Sequence, residues 1–255
     1  MSDNKPSFFS KQSCNTDCTQ SLMDKAKCTA SIVVLSSIVS FATVKIMSQK
    51  IVEDAITKNP KHIITAIENM YKKEREKSME ESTKKVPDVQ KDILANSSIP
   101  YVGNQNASKQ IIVFYDYACG YCKKQVAEIA KLTAKDKDVK VVLVDFPIMS
   151  AGSLTAAQVG IYVFNNHKSS FERYHNEIAK LSSLTPDSIK GVLKKLNLNT
   201  SIVTSVQNDE KIKAMIESNY THARTLALQG TPAVIANNKL VPSFVDANDM
   251  ESMLK

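Results

Sequence analysis

An apolar stretch that ends on a close pair of cysteines and passes straight into a helical pattern narrows the possible folds more than anything else in this chain. Residues 109–117 (KQIIVFYDY) are rich in β-branched and aromatic side chains and read as a buried strand. Cys119-Gly120-Tyr121-Cys122 follows, and residues 122–134 (CKKQVAEIAKLTA) carry Val126, Ile129, Ala130 and Leu132 at helical spacing. Residues 140–146 (KVVLVDF) form a second buried strand, closed by Pro147. Strand, helix and strand in that order make a βαβ unit, which implies a parallel pair joined by a right-handed crossover.

The cysteine pair therefore stands where a strand ends and a helix opens. A bare C-x-x-C is also half of many zinc sites, but zinc needs two more ligands. His167, His175 and His222 are not paired at ligand spacing and read as surface residues, while Cys14 and Cys18 lie beyond a long apolar run. No metal is expected, and the placement favours redox chemistry.

A thiolate at a helix mouth faces unsatisfied N–H groups and the positive end of the helix dipole, so Cys119 should ionise below the ~8.5 of a free thiol. The dipole supplies at most about 2 kcal/mol, roughly 1.5 pKa units; anything more needs direct N–H bonds to sulfur. Cys119 is thus the expected nucleophile. Cys122, one turn in and less accessible, would resolve the mixed disulfide, and Gly120 and Tyr121 would tune the potential. No cofactor is expected beyond the Cys119–Cys122 disulfide itself.

Downstream, residues 153–229 are helical in pattern throughout, an insertion after the second strand. Thr185-Pro186-Asp187 reads as a cap followed by proline at a first helical position, and a further helix should run over 209–228. Gly230-Thr231-Pro232-Ala233 then leads into AVIA and KLV, a hairpin turned by Asn237-Asn238. By base preference Thr231–Pro232 would be a trans turn. Asp246 caps a last helix to Leu254.

Before the βαβ unit, residues 29–44 (TASIVVLSSIVSFATV) hold no charge. Sixteen residues fall between a signal-peptide core and a membrane span of about 20. Lys25 and Lys27 precede the run, and Ser40-Phe41-Ala42 offers a cleavage site after Ala42, so residues 1–47 read as a cytosolic leader with a signal peptide or signal anchor. Either would export the remainder, leaving Cys119 and Cys122 as its only thiols among five cysteines in the chain. A buried core helix in a cytosolic redox protein is the alternative.

Residues 48–92 read as a helical association segment and charged linker. Ile51, Val52, Ala55, Ile56, Ile63, Ile64, Ile67, Met70 and Tyr71 lie at helical spacing, interrupted at Asn59-Pro60. This stripe, over 51–71, needs a partner: the same stripe on another subunit, making a homo-oligomer, or the body of the protein. The charged stretch that follows reads as a solvated helix running into a linker around Val86-Pro87. The net charge of +7 comes from lysines interleaved with acids, and no nucleic-acid motif is present, so no nucleic-acid partner is expected.

The ordered set YDYACGYC, DFPI at 145–148, a helical insertion, GTPA, and a terminal hairpin and helix resembles the DsbA-like family of bacterial thiol–disulfide oxidoreductases over about 93–255. The resemblance implies an α/β thioredoxin-like fold with an inserted helical domain. It also implies Cys119 as the attacking and Cys122 as the resolving cysteine, and Thr231 before a cis Pro232 that presents backbone to a client strand. The Gly-Tyr dipeptide and the stripe at 51–71 resemble the subgroup with an N-terminal association segment and isomerase activity. One departure stands out: the family's buried glutamate, six residues before the first cysteine, is replaced here by Val113.

These readings converge on disulfide isomerisation or oxidation of exported proteins through the CGYC pair, in the periplasm of a Gram-negative bacterium, free or anchored by residues 29–44. Cysteine-bearing clients and a membrane redox partner protein are the implied partners. A non-catalytic envelope binding protein or holdase on the same scaffold is the alternative, since fold does not fix function.

Overall fold

The computed structural model describes residues 60–255 together with residues 45, 47, 48, 50 and 51. The chain divides into two units, residues 1–71 and residues 72–255. In the first unit the described residues are helical, and Ile51, Ile64, Ile67, Met70 and Tyr71 are exposed. Val52, Ala55 and Ile56 of the expected stripe, and the apolar run 29–44, lie outside the described residues. Among the described residues no helix is long and apolar enough to cross a membrane.

Helix α1 spans Pro60–Ala95 and continues through Pro87, so the linker expected around Val86-Pro87 is not found. The reason lies in the spacing: Val86, Val89 and Ile93 fall on one face of a helix and are buried. Proline removes one backbone donor, and core packing on both sides of it holds the helix across the gap.

The second unit is built on a five-stranded sheet. Its strands are β1 (Tyr101–Gly103), β2 (Lys109–Tyr115), β3 (Val139–Asp145), β4 (Ala233–Ala236) and β5 (Lys239–Val241), in the order β1-β3-β2-β4-β5. The expected parallel pair is β2 with β3, in a register that sets Tyr115 opposite Asp145; the other three pairings are antiparallel. The short edge strand β1 had no signal in the sequence beyond Gly103, whose φ of 87° fits the turn that follows it.

Helix α2 (Gly120–Lys135) crosses between the parallel strands. The insertion is wholly helical: α3 (Ala151–Asn166), α4 (Lys168–Ala179), α5 (Pro186–Lys195), α6 (Ile202–Ser205), a short 3-10 turn, and α7 (Glu210–Thr225). The Thr185 hydroxyl accepts the Ser188 N–H and the Ser188 hydroxyl accepts the Thr185 N–H, a capping box one step richer than the cap expected from sequence. Asn237 and Asn238 take φ of 46° and 60°, turning the β4–β5 hairpin as expected. Asp246 caps the last helix, α8 (Ala247–Met253).

Strand periodicity divides the core. Ile111, Val113, Tyr115, Val139, Val141 and Leu143 face α2, α8 and the insertion, and the two cysteines belong to this layer. Ile112, Phe114, Val142 and Val144 face the opposite way and meet Val86, Val89 and Ile93 of α1, with Ala223 of α7. Because successive residues alternate faces, one strand feeds both layers, which is why residues 111–115 are apolar and buried without interruption.

Candidate functional site

β2 ends at Tyr115 and α2 begins at Gly120, so the four residues between them build the site. Cys119 is the N-cap of α2, at φ −73° and ψ 122°, and Cys122 is the third residue of its first turn. Both thiols are free and buried, with 7% and 2% of their surface exposed, whereas the intervening Tyr121 is 61% exposed. The Cys119 thiol donates to the Thr231 carbonyl oxygen at 3.2 Å, and the Asp116 N–H points at Cys122 Sγ at 3.5 Å. The Thr231–Pro232 peptide is cis. The structure thus brings together Cys119, Cys122 and the Thr231-Pro232 turn, from segments 112 residues apart.

The two thiols are electrostatically unlike. Burial pushes the Cys119 thiol up, but hydrogen bonding from the Cys122 backbone, the Thr231 side chain, the Cys122 thiol and the Tyr121 backbone outweighs it and leaves Cys119 below its ordinary value. Cys122 is pushed up to about 12, chiefly by burial, with Thr231 and the Asp116 N–H opposing it only in part. The outer sulfur therefore gives up its proton more readily than the inner one.

Sequence reasoning passed over Asp116, which ties the site together. Its carbonyl accepts the Cys119 N–H (3.0 Å), and its carboxylate accepts the N–H groups of Ala118 (2.7 Å) and Met149 (2.8 Å). A carboxylate two residues ahead of a backbone N–H it can accept is a recurrent turn device, and that spacing was the available signal. Gln125 was also missed. It is the one polar residue in the buried stripe Cys122, Gln125, Ile129, Leu132 of α2. A polar side chain on an apolar helix face must find partners, and its position alone could have flagged it.

Val113 is fully buried, as its apolar character requires, and carries no acid. A buried acid sits elsewhere, at Asp145 on the neighbouring strand, and burial pushes it up to about 8, with the Tyr115 hydroxyl opposing and the Asp116 charge adding. Among the described residues neither Asp145 oxygen has a partner at full hydrogen-bond geometry; the Tyr115 hydroxyl lies near enough to oppose the shift but donates to the Tyr117 hydroxyl, 3.0 Å away. Tyr117 in turn lies 3.1 Å from Nδ1 of His175.

His175 corrects the expectation that the lone histidines are surface residues: it is 1% exposed. The ring packs edge-on to Tyr115 and Tyr117 and stacks on Phe171, and burial pushes it down to about 3. His222 is half-buried and His167 exposed. Among the described residues no cluster of three metal-ligating side chains occurs.

Beside Cys119, the residues Tyr121, Thr231, Pro232, Pro242 and Phe244 line a groove of about 320 Å³. Its walls are largely aromatic and proline surfaces, with Gly230, Thr231 and Ser243 completing the lining. The arrangement can hold an extended, largely apolar segment with a sulfur close to Cys119.

Comparison with known proteins agrees with this geometry. The family profile described as Thioredoxin matches residues 95–255. Disulfide bond formation protein D of Bacillus subtilis is 25% identical over 170 residues, covering 61% of this chain and 75% of that protein. The thiol-disulfide exchange protein alpha-DsbA2 of Wolbachia pipientis superposes with a TM-score of 0.59 at 27% identity, over 68% of this chain and 91% of that one. ScsC of Proteus mirabilis, at 22% identity, shares the fold with a TM-score of 0.62 over 84% of this chain and 96% of its own. With a matching profile over more than half its length and the sheet, cysteine pair and cis-proline turn in place, the chain belongs to the thioredoxin family, in its DsbA-like group of thiol–disulfide oxidoreductases.

Proposed function

We propose that this protein exchanges disulfides in cysteine-containing proteins outside the cytoplasm, with Cys119 as the attacking sulfur and Cys122 as the resolving one. The observation that carries the reading is the opposed tuning of the two thiols, Cys119 down and Cys122 up, with the Cys119 thiol on the Thr231 carbonyl at the edge of a groove that Thr231 and Pro232 line.

The Cys119 thiolate attacks one sulfur of a client disulfide. A Cys119–client bond forms, the client S–S bond breaks, and the other client sulfur leaves as a thiolate. In isomerisation that thiolate attacks a different client disulfide, the chain of exchange ends with a client thiolate displacing Cys119, and no net electrons move. In resolution Cys122 loses its proton and attacks the Cys119 sulfur. The client sulfur leaves and takes up a proton, the client is reduced by two electrons, and Cys119–Cys122 is oxidised. Oxidation of clients is this sequence reversed, and a membrane redox partner protein then restores the disulfide.

Burial of Cys122, which disfavours its thiolate, works against fast resolution of the mixed disulfide and is compatible with isomerisation. The exposed apolar residues Ile64, Ile67 and Met70 favour the same outcome, because self-association through them would set paired sites around one misfolded client.

The test is reactivation of scrambled ribonuclease by a chain beginning at Lys45 and by one beginning at Lys72, each with its Cys119→Ser control. Strong reactivation by the longer chain, lost in the shorter one and in both controls, is the expected result. Equal and weak reactivation by both, with fast oxidation of reduced substrate, would assign an oxidase that acts as a monomer. Unchanged activity in Cys119→Ser would overturn the enzyme reading in favour of a binding protein.

A further inference from the structure

Helix α2 carries the cysteines at one end and, one turn later, a side chain that reaches away from them. Gln125 is 1% exposed, and its amide makes two hydrogen bonds to a single residue: Nε2 donates to the Val245 carbonyl at 2.7 Å, and Oε1 accepts the Val245 N–H at 3.0 Å. This mimics a strand pairing between a side chain and a backbone, and it satisfies both polar groups of a residue inside the core. Three residues further along α2, the Glu128 carboxylate accepts the Ala247 N–H at 3.1 Å. The connection between β5 and α8 is thereby fastened to α2 at two points.

Val245 directly follows Pro242, Ser243 and Phe244, which form one wall of the groove beside Cys119. The half-buried Phe244 has no secondary structure of its own to hold it, and the Gln125 clamp stands at the next residue. The clamp links the helix that carries the sulfurs to the wall that faces the client.

We propose that Gln125 is a positioning residue for client selection: by pinning Val245 to α2 it sets Phe244 at the distance from Thr231-Pro232 that admits an extended cysteine segment flanked by apolar side chains. The inference rests on the exchange function proposed above. The selected class follows from the walls, since Tyr121, Pro232, Pro242 and Phe244 offer apolar surface and no charge.

The experiment follows oxidation of two short dithiol peptides by the full chain, with oxidised glutathione as terminal oxidant. In one peptide apolar residues flank the cysteines, and in the other Asp and Lys replace them. Gln125→Met, close in volume but unable to make either bond, should raise KM for the apolar peptide about tenfold, hold kcat within about twofold, and erase the preference over the charged peptide. Phe244→Ala should give the same rise, and Gln125→Met added to Phe244→Ala should cost nothing more. A fall in kcat at unchanged KM would place the action of Gln125 on the thiols and overturn the proposal, as would losses that multiply in the double variant. Should Gln125→Met not fold, Gln125→Glu, which keeps an acceptor for the Val245 N–H and loses the donor to its carbonyl, takes its place in the same cycle, and an unchanged KM in it or in Phe244→Ala overturns the proposal. A wild-type chain that oxidises neither peptide would overturn the exchange function itself, a result distinct from both.

Discussion

At the scale of single residues the chemistry rests on hydrogen bonds that a few atoms supply. Cys119 lies below its ordinary value because donors, the Cys122 thiol among them, outweigh burial. Iodoacetamide at about neutral pH should therefore label Cys119 and spare Cys122, and thiolate absorbance should show Cys122→Ala raising the pKa of the remaining thiol. A Cys119 titration untouched by Cys122→Ala would assign the lowering to the backbone N–H groups of Cys122 and Tyr121 and to Thr231 instead. Asp145 and His175 make a second residue-scale prediction. Asp145 is raised from 3.8 to about 8, so its contribution to stability is fully present below 3.8 and is lost as pH rises to about 8. His175 is lowered from 6.5 to about 3, so its contribution is present above 6.5 and is lost as pH falls towards 3. Between about pH 4 and 6.5 the two nearly cancel, and above that interval Asp145 alone imposes a fall of roughly 1.4 kcal/mol per pH unit. Urea midpoints should drop between pH 6.5 and pH 8 in the wild type and stay level in Asp145→Asn; parallel drops would assign the slope to another group.

At the scale of elements, the C-terminal half of α1 is core rather than connector. Val86, Val89 and Ile93 close the face of the sheet formed by Ile112, Phe114, Val142 and Val144. Ile93→Ala should cost about 2–5 kcal/mol in urea unfolding of the full chain, the range for truncating a buried aliphatic side chain. A cost near zero would return α1 to the status of a linker. The charged residues between the apolar ones hid this half of the helix, because a stripe of one residue per turn is diluted in any average over the segment. A similar constraint holds α3, where a Cβ on Gly152 would overlap the Leu184 carbonyl oxygen. That contact joins residues far apart in sequence, and no local pattern announces it.

At the scale of the whole molecule, Ile64, Ile67 and Met70 remain exposed in the first unit while the second unit closes its own two cores. Replacing all three by lysine should convert an oligomer into a monomer by light scattering; wild type and variant both running as monomers would retire the self-association proposal. Much of the second unit was legible beforehand. The strands, the crossover helix and the hairpin turn arise from local rules: alternation of apolar residues, helical spacing, and Asn at positive φ. The placement of Cys119 at a helix mouth follows from the same rules, since a strand-to-helix junction needs only its own residues to form. Other features had to wait for the tertiary structure. Burial of His175, the unpartnered carboxylate of Asp145 and the grip of Gln125 on Val245 depend on contacts across 58 to 120 residues of sequence. Side-chain periodicity tells which face of an element turns inward, and it is silent on what that face will meet. The cysteine pair and the strand–helix–strand frame that presents it are local and can be read from neighbouring residues; which buried polar groups find partners depends on the folded chain, because those partners come from elsewhere in it.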